Sequence, residues 1–253
     1  MDKYRLLTQP RDHIIFPLDV NSEDEAKRWI EVLRDSVGMF KVGLELFIRC
    51  GPRIVNFITA QQSAGVFLDL KLHDIPATVA RAMAGIVELN VKLTTVHCGE
   101  NLRMLEAAVA ASGGKVGVLG ITVLTSVSAA DLAAFGLHAN PEGDLTQLVI
   151  RRAQLARKAG CAGVVCSGLE ARAIKADIGR DFLVVTPGIR PSWAVGAQDD
   201  QMRLSTPAAA LAAGADYLVI GRPIRDAADP RAAAQRVVAE ISEFQATRQP
   251  SLQ

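Results

Sequence analysis

The sequence predicts an α/β fold, a (β/α)8 TIM barrel in a single domain, on three observations. Eight short apolar runs rich in Val, Ile and Leu alternate with amphipathic stretches along the whole chain. The 253 residues divide into about 31 per unit, close to one strand–helix repeat. No linker or low-complexity segment interrupts the alternation, so one domain over residues 1–253 is the simplest organisation, with a core of about 13–245.

The elements follow in order. The first apolar run is 13–20. Asn21-Ser22 followed by Glu25 resembles a capping box and starts a helix over 22–34. Gly38 precedes the second run, 39–42, and Gly65 the third, 66–70. Helical patterns over 78–89 and 102–111 lead to the fourth and fifth runs, 92–97 and 116–123. A polar excursion follows over 135–143, then a helix over 144–159. Gly160 ends that helix before the sixth run, 163–166; the seventh is 182–186. A helix over 207–213 and Gly214 precede the eighth, 217–220. Each of the four glycines is expected in the left-handed position after a helix. The runs show little polar alternation, as parallel strands buried on both faces require. An open doubly wound sheet is the alternative. Against it, the first run ends in Asp19-Val20-Asn21-Ser22, without a glycine-rich dinucleotide loop. The tail, 246–253, is expected to fray.

Composition narrows the function. The chain is 49% apolar, with net charge +1 and 5% aromatic residues. That balance argues against nucleic-acid partners, which need basic patches or stacking platforms. The N-terminus lacks an apolar signal region, and no apolar stretch reaches the roughly 18 residues of a membrane span. A soluble, cytoplasmic protein is expected. Cys50, Cys98, Cys161 and Cys166 form no CxxC pair and read as reduced core thiols, with no metal site.

A barrel of this kind carries its site at the C-terminal strand ends. Asp19 ends the first strand, Lys41 lies on the second, and Asp69-Leu70-Lys71 closes the third. The strand period of two puts Asp69 and Lys71 on one face. Buried charges cost several kcal/mol unless paired, so a structural ion pair and a working site are the two readings. The convergence with Asp19 and Lys41 favours the site. Asp74, ahead of Ile75-Pro76, reads equally as a helix N-cap. His73 reads as a loop residue. His97 ends the fourth strand and is as readily structural. Gly188, Arg190, Gly221 and Arg222 follow strands seven and eight, where such barrels bind phosphate. No HExxH, P-loop or Ser-His-Asp order is present. The combination suits proton transfer or decarboxylation on a phosphorylated small molecule.

Asp69-Leu70-Lys71-Leu72-His73-Asp74-Ile75-Pro76 resembles the DxKxxDIP signature of the orotidine 5′-monophosphate decarboxylases. Further blocks resemble the family in its order: Leu18-Asp19, Phe40-Lys41-Val42-Gly43, Thr122 to Ser126, Val165-Cys166-Ser167, Thr186 to Arg190, Asp200-Gln201 and Ile220 to Pro223. They span about residues 13–230.

The resemblance implies decarboxylation of orotidine 5′-monophosphate to UMP, without cofactor or metal. It implies that Lys71 protonates C6, that Asp69 sits beside the substrate carboxylate, and that Asp19 and Lys41 hold the ribose. Thr125 and Ser126 would read the pyrimidine. Pro187, Arg190, Gln201, Gly221 and Arg222 would surround ring and phosphate. Asp74 and Thr78 would reach the neighbouring subunit's site, making a homodimer the active unit. The expected form is the monofunctional, bacterial-type one. Sugar-phosphate relatives, such as 3-keto-L-gulonate 6-phosphate decarboxylases, share DxKxxD but resemble Glu-Val-Gly on strand two and use Mg²⁺. A non-catalytic nucleotide-binding barrel is the remaining alternative.

Overall fold

A computed structural model describes Tyr4 and residues 7–99, 101–134, 136, 145–194 and 205–248 of the chain. Among them, parallel strands close in sequence order into a barrel. They are β1 (Ile14–Pro17), β2 (Met39–Gly43), β3 (Gly65–Leu72), β4 (Leu93–His97), β5 (Gly117–Ile121), β6 (Gly163–Val165), β7 (Leu183–Thr186) and β8 (Tyr217–Val219). The ring shuts where Ile14 and Ile15 pair with Leu218 and Val219, which rules out the open sheet. Outside lie α1 (Glu23–Leu33), α2 (Leu44–Cys50), α3 (Pro52–Gln61), α4 (Pro76–Glu88), α5 (Leu102–Ser112), α6 (Ala129–Ala134), α7 (Thr146–Lys158), α8 (Ala171–Ile178), α9 (Pro207–Ala213), α10 (Arg222–Arg225) and α11 (Pro230–Arg248).

The strand sequences explain the two cores. Alternate residues such as Ile15, Met39, Phe67, Leu93, Leu119 and Leu183 fill the barrel interior. Their neighbours, such as Ile14, Phe40, Leu68 and Val118, pack outward beneath the helices. Ser22 caps α1 by accepting the Glu25 N–H at 3.3 Å. Gly51, at φ +60°, and Pro52 break the segment after β2 into α2 and α3.

Several expectations need correction. Gly160 and Gly214 do take left-handed backbone, at φ +84° and +103°. Gly38 and Gly65 do not; Gly65 is already the first residue of β3. At Gly38 the constraint is space, since a Cβ there would stand 2.6 Å from the Asp12 Cα. Gly38→Ala is expected to destabilise the fold by about 1–3 kcal/mol through this backbone clash. Chemical denaturation measures it, and wild-type stability would show that the Asp12 turn yields freely. Helix α4 begins at Pro76, two residues ahead of expectation. Helix α11 runs through Arg248, so residues 246–248 of the expected tail are helical. Residues 249–253 and, apart from Gly136, the 135–143 excursion lie outside the described residues.

Candidate active site

Strand β3 departs from regular pairing at the point of interest. Phe67 and Leu68 face Leu93 and Thr94, but the next pair is Leu72 with Val96. The surplus on β3 forms a bulge. Within it Lys71 adopts φ +52°, a left-handed backbone that costs a non-glycine residue roughly 1–2 kcal/mol. The sequence correctly paired Asp69 with Lys71, but strand periodicity is not the whole cause; the bulge turns Lys71 back toward Asp69.

The result is a line of charges of alternating sign. Lys71 Nζ donates to Asp69 Oδ2 at 2.7 Å. Lys41 Nζ lies 3.9 Å from the same oxygen and donates to Asp19 Oδ1 at 3.0 Å. The two central members are the least exposed, at 10% for the Asp69 side chain and 14% for Lys41. Each has opposite charges on both sides, which offsets the cost of taking it out of water. Gly43 leaves room for this line, because a Cβ there would stand 3.1 Å from Lys41 Nζ. Beneath it, Thr95 accepts the Lys71 N–H and donates to Asp69 Oδ1, both at 2.9 Å.

Two adjoining hollows open at this end of the barrel. One, of about 160 Å³, is lined by Lys41, Asp69, Lys71, Val123, Thr125 and Pro187. The other, of about 370 Å³, is lined by Asp19, Lys41, Arg190, Gly221, Arg222 and Arg225 among others. They share Lys41, Pro187 and Val219, so a ligand with a flat ring and an anionic tail could span both. Larger hollows, of 480 and 680 Å³, open at the opposite end. Convergence of charged groups at the strand ends, rather than size, selects the site.

Arg190 is 6% exposed; its N–H donates to the Ser205 carbonyl at 2.8 Å, and Nη1 to the Ile189 carbonyl at 3.0 Å. The preceding Gly188 has φ +76°, which only glycine adopts cheaply. A Cβ at Gly221 would meet the Pro17 ring at 2.9 Å, so glycine lets the β8 loop close over β1.

The remaining expected residues divide. Ser126 is exposed and outside the lining of both hollows, whereas Thr125 lines the smaller one. Gln201 lies outside the described residues. Asp74 is not the cap of α4. Ile75 holds that position, and Asp74 Oδ1 accepts the Ile75 N–H at 2.6 Å. Thr78 accepts from Arg81 Nη2 at 3.4 Å. Neither Asp74 nor Thr78 lines this chain's own hollows. The His73 and His97 ring centroids lie 5.3 Å apart with the planes tilted by 41°, and burial holds the half-buried His97 imidazole below its usual pKa. The four cysteines are free and buried. Burial pushes the Cys98 and Cys161 thiols up to about 12, far from reactive thiolates.

Sequence reasoning missed Thr95 and Arg225. Thr95 shares the inward face of β4 with Leu93, and a hydroxyl inside a barrel was the available signal. Arg225 followed Arg222 in the last loop; its Nε and Nη2 bind Asp226 at 2.7 and 3.2 Å.

Comparison with known proteins agrees with this geometry. A family model described as "Orotidine 5′-phosphate decarboxylase / HUMPS family" matches residues 12–237. A relative from Desulfosudis oleivorans named orotidine 5′-phosphate decarboxylase is 49% identical over 235 residues, covering 92% of this chain and 94% of its own. One of the same name from Trichlorobacter lovleyi is 47% identical over 239 residues, covering 92% and 96%. The crystal structure of orotidine 5′-phosphate decarboxylase from Lactobacillus acidophilus superposes with a TM-score of 0.77 at 33% identity, covering 90% of this chain and 98% of that one. An uncharacterized conserved protein from Geobacillus kaustophilus superposes at 0.74 with 34% identity, covering 91% and 99%. This chain, with its alternating Asp/Lys line at the mouth of a closed barrel, belongs to the orotidine 5′-phosphate decarboxylase / HUMPS family.

Proposed function

We propose that this protein decarboxylates orotidine 5′-monophosphate to UMP and carbon dioxide, a step of pyrimidine biosynthesis, as one catalytic domain without metal or cofactor. The carrying observation is the Asp19–Lys41–Asp69–Lys71 line between a ring-sized hollow and an arginine-lined one. Breaking the bond from C6 to the carboxylate leaves an electron pair in the ring plane, where no neighbouring carbonyl accepts it. The protein must stabilise that charge with groups already in place. Lys71 does so and delivers its proton to C6. Asp69, between two ammonium groups, fixes Lys71 against the substrate. Asp19 and Lys41 hold the ribose, Thr125 meets the pyrimidine, with Ser126 assigned there by family resemblance alone, and Pro187 lies between ring and phosphate. Arg190, Gly221 and Arg222 grip the phosphate, with Gln201 assigned there by family resemblance alone. Phosphate binding remote from the broken bond supplies energy for ordering the site.

The active unit in this reading is a homodimer, with Asp74 and Thr78 completing the partner's site. Two features support it. Asp74 and Thr78 stay out of their own hollows. Leu44, Ile48 and Ile75, after β2 and β3, leave large apolar side chains 58%, 75% and 65% exposed. The free buried thiols suit a reducing cytoplasm.

Loss of orotidine 5′-monophosphate absorbance on adding enzyme tests the activity directly, and EDTA separates the metal-dependent alternative. We expect full turnover in EDTA, since the Lys41 ammonium stands where a divalent cation would be repelled. No turnover of this substrate would refute the proposal, and loss of activity on chelation would point to the sugar-phosphate branch.

A further inference from the structure

We infer that Thr95 is a positioning residue for the decarboxylation, the group that holds the strained Lys71 backbone and the Asp69 carboxylate in register. The inference rests on the reading proposed above. Three independent features converge on its hydroxyl. Thr95 is fully buried, on the inward face of β4 above Leu93, between the apolar interior of the barrel and the charged line. A hydroxyl there needs partners, and it has two. It accepts the Lys71 N–H and donates to Asp69 Oδ1, both at 2.9 Å. Those two residues lie within the β3 bulge, on either side of Leu70.

The bulge creates the need. Between Leu68 and Leu72 the backbone ladder from β3 to β4 is interrupted. The surplus on β3 breaks that ladder, and the Thr95 side chain takes its place. The same hydroxyl proton goes to Asp69, leaving Oδ2 for Lys71 Nζ at 2.7 Å. One side chain therefore sets the Lys71 backbone and the carboxylate that orients the Lys71 ammonium. Thr95 lines neither hollow; it acts through its two neighbours.

Thr94 provides an internal control. It is equally buried, and its hydroxyl donates to the Leu68 carbonyl at 2.9 Å, bonding neither the Lys71 N–H nor the Asp69 carboxylate. Thr95→Val and Thr94→Val each remove one buried hydroxyl of the same strand with little change of volume. Steady-state kinetics on orotidine 5′-monophosphate, UMP binding and melting temperature are measured for both. Thr95→Val should lower kcat about 10- to 100-fold with KM and UMP affinity near wild type, as a misplaced catalytic group does. Thr94→Val should leave kcat within about twofold of wild type. Thr95→Ser, which restores the hydroxyl, should recover most of the loss. Should Thr95→Val not fold, Thr95→Cys, of similar size with only a weak donor, is read on the same scale. Equal kcat in the Thr94 and Thr95 variants would overturn the inference. So would a Thr95 loss shared equally by UMP affinity and not recovered by serine. A wild-type protein without turnover would refute the decarboxylase reading itself.

Discussion

Lys71→Ala is expected to lower kcat by about 10⁴-fold or more while leaving UMP binding largely intact. The size follows from two losses at one atom. General acid delivery of a proton contributes about 10²–10⁴-fold, and preorganised charge at the developing anion adds on the order of 10²–10³. UMP has no carboxylate, and the arginine-lined hollow that would hold its phosphate lies apart from Lys71. The fold should survive, since Asp69 keeps Thr95 at 2.9 Å and Lys41 at 3.9 Å. Single-turnover kinetics with calorimetric titration of UMP makes the measurement. Near-wild-type turnover would remove Lys71 from the mechanism.

Mixing Lys71→Ala with Asp74→Ala protein is expected to restore activity that neither has alone. Each site would take Lys71 from one subunit and Asp74 from the other. A heterodimer then holds one intact site and one doubly damaged site. At equal mixing and full exchange, about one quarter of all sites would be intact. The recovered rate should approach that share of wild type, with kinetics of wild-type form. Heterodimers detected by native mass spectrometry without recovered turnover would place Asp74 outside the partner's site. In that case its bond to the Ile75 N–H would be its whole role.

The barrel was legible because its cause is local. Apolar runs such as Leu183–Thr186 need only burial on both faces to become parallel strands. The ends of those strands carry Asp19, Lys41, Asp69, Arg190 and Arg222 to the two hollows for the same reason. What escaped depends on distant partners. The positive φ of Lys71 arises from mismatch between β3 and β4, which no window around residue 71 contains. Thr95 sits in Leu93-Thr94-Thr95-Val96, an ordinary strand sequence, and only the bulge opposite gives one of its two threonines a task. Gly38 resembled a helix terminus in sequence, yet its constraint comes from the Asp12 backbone. Asp74 resembled a cap because it precedes Pro76, but the helix takes Ile75 as its boundary.

The seam between β1 and β8 has a consequence for the chain's synthesis. His13 Nδ1 meets the Asp216 carbonyl across 203 positions, and Gln245 reaches the His13 ring from still further along. Such contacts carry a large loop-closure entropy and slow the search for the native ring. On the ribosome, the segments bearing Lys41 and Lys71 emerge long before the strand that completes the cylinder. During that interval β1 presents an unpaired edge, a template for association with other nascent chains. Arg222 lies just beyond β8, so the phosphate grip proposed for it and the closed ring would become available almost together. On that reading nucleotide binding would report that translation has passed the seam, and a ligand such as UMP would favour finished molecules over truncated ones by mass action.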